Sequence, residues 1–302
     1  MANVRELKRR IRSIKNISQV TRAMQMVASS KMRRAQEQAL GTRPYAAKAW
    51  QVLSHLAGQY GSNERLHPLL THRGVIRATG MVLITSDKGL CGAFNTNVLR
   101  TAVHYMQGLG HPCQVITVGR RGRDFMARHG ARLTAVFTDL PPRPTSLDIT
   151  PIARAAIDDF LEMKVDEVYL VYTDFINTLT QRPTVRRLLP ITPGEVESSV
   201  MREYVSTGPQ TGPAGEYIYE PDPQSILGTV LPRFTELQIY QAVLESLASE
   251  HSARMVAMRN ATENANTLIG NLTLVYYRAR QEAITKEMLD IAGGAEALRQ
   301  AG

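Results

Sequence analysis

The run Val230–Ala283, VLPRFTELQIYQAVLESLASEHSARMVAMRNATENANTLIGNLTLVYYRARQEA, decides the architecture. A seam steps through it at alternating spacings of four and three: Val230, Phe234, Leu237, Gln241, Leu244, Ala248, His251, Met255, Met258, Thr262, Ala265, Ile269, Leu272, Tyr276, Ala279, Ala283. Thirteen of these sixteen positions are apolar, which is enough to mark a buried face. A mean spacing of 3.5 is the signature of a helix that supercoils against a partner. From Ile226 to about Leu298 such a helix rises roughly 110 Å at 1.5 Å per residue. A domain of this size has no core that long, so the helix is expected to project and to need a partner along its length.

Charge points to where a partner lies. The chain carries a net +9, but residues 1–40 alone hold ten Lys/Arg against two Glu. Residues 226–302 hold seven basic and eight acidic groups. The excess thus sits on one N-terminal element, and a concentrated basic element takes an anionic partner or a solvated face. Val4, Leu7, Ile11 and Ile14 follow helical 3–4–3 spacing in that element. Ile17, Val20, Met24 and Val27 continue the apolar pattern, with two successive steps of three that predict a stammer in the coil. Arg5, Lys8, Arg9, Arg10, Arg12, Lys15 and Arg22 lie between them. Gly41 and Pro44 predict a kink or short break, and Gly58 closes the pattern.

Three readings compete for the basic helix. A nucleic-acid arm needs base-edge readers or interleaved aromatics, and residues 1–44 contain no aromatic. A membrane-surface helix needs Trp, Phe or Leu on its apolar face, where this one has mostly Ile, Val and Met. One strand of a coiled coil matches the C-terminal seam in kind. The chain has no apolar run of 18 residues, so no membrane-spanning helix is expected. Its charged start, MANVRELKRR, lacks a secretory core and reads as mature bacterial protein. Cys91 and Cys113 form no metal-binding or redox pair and read as reduced cysteines.

Between the two long helices, strands alternate with helices. Thr79–Thr85, Cys113–Val118, Leu133–Phe137 and Glu167–Tyr172 read as strands. Residues 94–107, Arg121–His129 and Ile149–Met163 read as helices. Largely apolar strands separated by helices predict a mostly parallel sheet. Residues 180–191 add a strand that Pro183 places partly at an edge. The domains expected are 1–57, a basic shaft helix; 58–78, a linker; 79–191, the α/β domain; 192–225, a Pro/Gly-rich linker and foot; and 226–302, the long helix. Ser86–Gly92 (SDKGLCG) and Gly119–Gly122 (GRRG) occupy strand-to-helix turns where phosphates often bind. Neither is a Walker or dinucleotide motif, and no catalytic motif is present. Tyr217, Tyr219, Glu220 and Asp222, stiffened by Pro221 and Pro223, read equally as a contact surface or as an edge strand.

Five stretches carry a family resemblance: IKNISQVTRAMQMVASSKMRRAQ, TSDKGLCGAFN, YEPDP, LASEHSARMVAMRNATENA and RQEAITKEMLDIAGGAEAL. In this order, across nearly the whole chain, they resemble the gamma subunits of F-type ATP synthases. The resemblance implies an antiparallel coiled coil of the terminal helices plus a central Rossmann-like α/β domain. It implies a non-catalytic rotor shaft without cofactor, metal or nucleic acid. The partners it implies are three alpha and three beta subunits, epsilon and the c-ring, on the cytoplasmic face of a bacterial inner membrane. It assigns beta contacts to Arg280, Gln281, Thr285 and Glu287 near the tip and to Met24, Lys31 and Arg254 lower down. Tyr217, Tyr219 and Glu220 match the foot that touches the c-ring and epsilon. The insertion STGPQTGPAGE departs from the family pattern, and ALRQAG at the end is expected to be disordered. From the residues alone, an α/β nucleotide-binding enzyme with a coiled-coil dimerisation arm remains an alternative.

Overall fold

The computed structural model describes residues 4–60, 67–192 and 223–301. Compactness divides the chain into two units: residues 1–28 with 254–302, and residues 29–253. The division cuts both long helices, α1 (Val4–Tyr60) and the C-terminal helix α5 (Pro223–Ala301), inside their length.

The larger unit is built on a five-stranded sheet. Its strands are β1 (Thr79–Ile84), β2 (Cys113–Val118), β3 (Arg132–Phe137), β4 (Glu167–Phe175) and β5 (Gln181–Leu189). Their order is β3-β2-β1-β4-β5, parallel throughout except for the antiparallel β4–β5 pair. The mostly parallel sheet read from the sequence is therefore present. Every residue of β1 is buried because the strand is covered on both faces. Val82 and Ile84 face a core shared with helix α4 (Ser146–Leu161) and with Leu227, Leu231, Phe234, Ile239 and Val243 of α5. Met81 and Leu83 face α2 (Phe94–Gly108) and α3 (Arg120–Arg128) through Val98, Leu99, Ala102 and Met126. β3, at the edge, alternates exposed and half-buried residues as a half-covered strand must.

The smaller unit is an antiparallel coiled coil. Ser18 Oγ donates to Asn266 Oδ1 at 2.9 Å, and the Thr21 and Thr262 hydroxyls lie 2.7 Å apart. As the number rises on α1 it falls on α5, so the helices run in opposite directions. The α5 seam is where the sequence puts it as far as Ala279: Met258 and Ala265 are buried, and Met255, Thr262, Ile269, Leu272, Tyr276 and Ala279 half-buried, whereas Ala283, its last predicted position, is exposed.

The α1 seam differs from expectation. After Val4, Leu7, Ile11 and Ile14 the buried or half-buried line continues through Ser18, Thr21, Gln25 and Ala28, an unbroken heptad. Met24 is half-buried beside it, whereas Ile17, Val20 and Val27 are 52%, 58% and 55% exposed. The predicted stammer is absent. Paired hydroxyls and a small alanine let the supercoil hold its period, and the larger apolar side chains face outward.

Two further expectations are corrected. α1 runs without a break through Gly41 and Pro44. Proline removes a single backbone bond, and the turns on either side of Pro44 stay helical. At the other end, α5 is helical to Ala301, through the segment expected to be disordered.

Candidate functional site

A projecting helix offers a partner only its surface, so the candidate site is a set of exposed faces. The cross-helix pairs set the register of α1 against α5, and extending it puts Val4 opposite the Arg280 turn. Beyond that turn α5 outruns the described part of α1. Residues 281–295 are all exposed. Arg280, Ile284, Glu287 and Ile291 fall on one helical face, and Gln281, Thr285 and Met288 on the adjacent one, by the i, i+4, i+7 rule. Ile284, Met288, Leu289 and Ile291 are large apolar side chains held in water. Arg280, Gln281, Thr285 and Glu287 are thus brought together, within two turns, and all are accessible.

The lower predicted contacts are more dispersed. Met24 and Arg254 are half-buried in the coiled-coil unit. Lys31 is exposed and belongs to the larger unit. Tyr217, Tyr219 and Glu220 lie outside the described residues. Sequence reasoning missed the outward apolar faces of α1, Ile17, Val20 and Val27. Extending the strict heptad from Val4 would have found them, because it places Ser18 and Thr21 inside instead.

The α/β unit holds the other place where function could reside, the carboxyl edge of its sheet. An α-helix starts there with free N–H groups that favour an anion. In α3 the first-turn donors are all taken by the protein itself. Arg120 N–H donates to Asp87 Oδ1 at 3.0 Å, Arg121 N–H to the Ser86 carbonyl at 3.1 Å, and Gly122 N–H to Thr85 Oγ1 at 2.8 Å. Arg123 N–H reaches the Gly119 carbonyl at 3.3 Å. Asp87 Oδ2 accepts from the Asp139 N–H at 3.1 Å, so one carboxylate clasps the loops after β1, β2 and β3. Arg120 grips both Asp139 oxygens at 2.7 Å and holds that carboxyl below its usual range. Gly119, at φ +98°, passes so close to Thr85 that an added Cβ would lie 2.2 Å from its carbonyl oxygen. An internal carboxylate therefore stands where a phosphate would sit.

Polar groups of α5 fasten it to this unit. Burial pushes Glu236 upward, but hydrogen bonds from Ser146 and Thr150, both 2.6 Å, and the ion pair to Arg233 hold its pKa below the ordinary glutamate value. Tyr240 OH donates to the Pro144 carbonyl, Ser249 Oγ to that of Thr173 and Ser252 Oγ to that of Thr178. Glu245 is buried and accepts from Gln241 Nε2 at 3.1 Å. Burial, then the nearby Asp174, pushes Glu245 up to about 7, against the opposing effects of Arg186, Gln241 and Tyr172. Arg73, in the stretch read as linker, closes the end of α4. It donates to the Phe160 and Val165 carbonyls at 2.6 and 2.7 Å, pairs with Asp166 and lies over the Phe160 ring.

A family model described as ATP synthase matches residues 3–298. An ATP synthase gamma chain from Dehalococcoides mccartyi is 47% identical over 298 residues, covering 99% of this chain and 100% of the relative. The gamma chain of Roseiflexus castenholzii is 46% identical over 303 residues, with 99% and 100% covered. Among solved structures, a chain of the Euglena gracilis mitochondrial ATP synthase (OSCP/F1/c-ring, rotational state 3) superposes with a TM-score of 0.64 at 20% identity. It covers 98% of this chain and 94% of that one. A chain from the central stalk and c-ring of the Tetrahymena thermophila enzyme gives 0.60 at 23% identity, covering 80% and 99%. At these identities the structural likeness bears on the fold.

Proposed function

The chain belongs to the ATP synthase gamma-chain family and is its central rotor shaft, and on that premise we propose how its parts divide the work. The chain itself carries out no chemistry. It couples rotation of a membrane c-ring to the conformational cycle of catalytic beta subunits, turning inside a sleeve of three alpha and three beta subunits. The observation that carries this reading is the uninterrupted exposure of residues 281–295, with four large apolar side chains among them. A lone helix in water gains little from propensity alone, and such a face is covered in a working assembly. Apolar contact is non-directional, so it lets the tip turn without a single preferred stop. Arg280, Gln281, Thr285 and Glu287 add the directional bonds to beta there, and Arg280 suits a bidentate grip on a carboxylate. Met24, Lys31 and Arg254 make the lower beta contacts, and Tyr217, Tyr219 and Glu220 meet epsilon and the c-ring.

No helix among the described residues is long and apolar enough to cross a membrane. We place the chain peripherally on the cytoplasmic face of a bacterial inner membrane, held through the c-ring. The competing reading, a nucleotide-binding enzyme with a dimerisation arm, needs a second chain to cover the α5 seam. The Ser18–Asn266 and Thr21–Thr262 pairs fill that seam from within one chain.

Calorimetry on the isolated full-length chain tests the absence of chemistry. No heat of ATP binding is expected at micromolar concentrations, because Asp87 and its neighbours already satisfy the first turn of α3. Saturable ATP binding would sink the non-catalytic reading.

A further inference from the structure

Neither the seam pattern nor the rotor role requires hydroxyls at the middle of the coil, yet two polar pairs bridge it there. They lie three residues apart on α1 and four apart on α5, one step of the same antiparallel register. Ser18 is buried, and Thr21 and Thr262 are half-buried. Each threonine hydroxyl also lies within reach of its own helix, Thr21 Oγ1 at 3.0 Å from the Ser18 carbonyl and Thr262 Oγ1 at 2.8 Å from that of Met258. A hydroxyl has one proton and two lone pairs. One threonine therefore donates to its own helix and accepts from the other, which donates across.

The apolar part of the seam discriminates register weakly here. Ala28 on α1 and Ala265 and Met258 on α5 are small or unbranched. A slip of one heptad, about 10 Å along the axis, would still set apolar against apolar. The same slip would set Ser18, Thr21 and Thr262 against apolar groups, leaving one buried and two half-buried hydroxyls without cross-helix partners. A single polar seam position is known to specify register in coiled coils at some cost in stability.

We propose that the Ser18–Asn266 and Thr21–Thr262 pairs are the register lock of the shaft, positioning residues that keep its two helices in phase under torque. The consequence for torque rests on the rotor reading; the lock itself does not. A twist applied at one end then reaches the other as rotation of both helices, without one sliding along the other.

Disulfide capture in the full-length chain tests the lock, with Cys91 and Cys113 replaced by Ser. Ile14→Cys with Ile269→Cys reports the native register, since 14 and 269 sum to the same value as 21 and 262. Ile14→Cys with Tyr276→Cys reports a one-heptad slip. In the otherwise unchanged seam only the native pair should oxidise efficiently. With Thr21→Val, Thr262→Val, Ser18→Ala and Asn266→Ala together, slipped capture should rise about tenfold. Reverting the threonines to Ser in place of Val should restore most of the native preference. Slipped capture no higher in the quadruple variant than in its parent would overturn the lock. If that variant does not fold, Thr21→Val and Thr262→Val singly and together give a double-mutant cycle. Additive losses of stability there would equally overturn it.

In the assembled complex, the ratio of ATP-driven proton pumping to ATP hydrolysis should fall with the slipped register. An unchanged ratio despite slippage would overturn the torque role. A wild-type chain that supported no pumping at all would instead refute the rotor reading itself.

Discussion

Two lengths of the same helix, α5, live in opposite surroundings. From Leu227 to Ser252 most side chains are buried, several of them polar. From Gln281 to Ala295 all are exposed, several of them large and apolar. The contrast teaches that composition did not sort these segments. Glu236, Glu245, Ser249 and Ser252 sit inside because each has a hydrogen-bond partner supplied by the α/β unit or by the helix itself. Ile284, Met288, Leu289 and Ile291 sit outside because the described part of α1 ends before it can cover them. The lower length is a core element, and the upper length is an exposed face, which the proposed function assigns to contact with the surrounding subunits.

The largest test of this contrast is a matched pair of truncations. Phe234→Ala, in the buried length, should cost about 3–5 kcal/mol in urea unfolding of the isolated chain. Ile284→Ala, in the exposed length, should stay within about 0.5 kcal/mol. Equal losses would erase the distinction.

Glu245→Gln sharpens it by chemistry. Glu245 titrates near 7 in the folded chain, above the ordinary value of 4.5, chiefly through burial. A raised carboxyl binds its proton more tightly when folded. Its contribution to stability is therefore fully present below the unfolded pKa and is lost as pH rises through about 7. The uncharged Gln keeps the bond geometry without that loss. Glu245→Gln should be more stable than wild type at pH 8, by on the order of 2 kcal/mol, and about equal at pH 4. Parallel melting curves measured across this range would decide the point. Glu236 has the opposite sign, since its lowered pKa favours the fold above the ordinary glutamate range and weakens it in acid.

The smallest effect on stability is expected at Arg280. Arg280→Ala should leave the unfolding midpoint unchanged, yet slow ATP hydrolysis by the assembled complex about two- to tenfold through loss of one charge-assisted grip. A variant complex with wild-type turnover would remove Arg280 from the beta contact.

Much of the fold was legible in the sequence. The strand spans and the parallel sheet follow from short apolar runs separated by helical segments, and the α5 seam from a period of 3.5, all of them properties of neighbouring residues. The α1 seam was legible only in part. Apolarity draws the eye to Ile17, Val20 and Val27, whereas the supercoil selects Ser18 and Thr21, and their partners Asn266 and Thr262 lie more than 240 residues away. Arg73 and Asp87 were read as linker and turn for the same reason. Their meaning lies in carbonyls and N–H groups of distant elements. At the candidate site, the residues of the tip could be named from resemblance, but their shared exposure could not. By itself the sequence determined which segments are helix or strand and where each has an apolar face, because local sterics and periodicity act over a few residues. Only the tertiary structure decided which faces are covered and which polar groups are paired, because burial depends on what the rest of the chain brings to each surface.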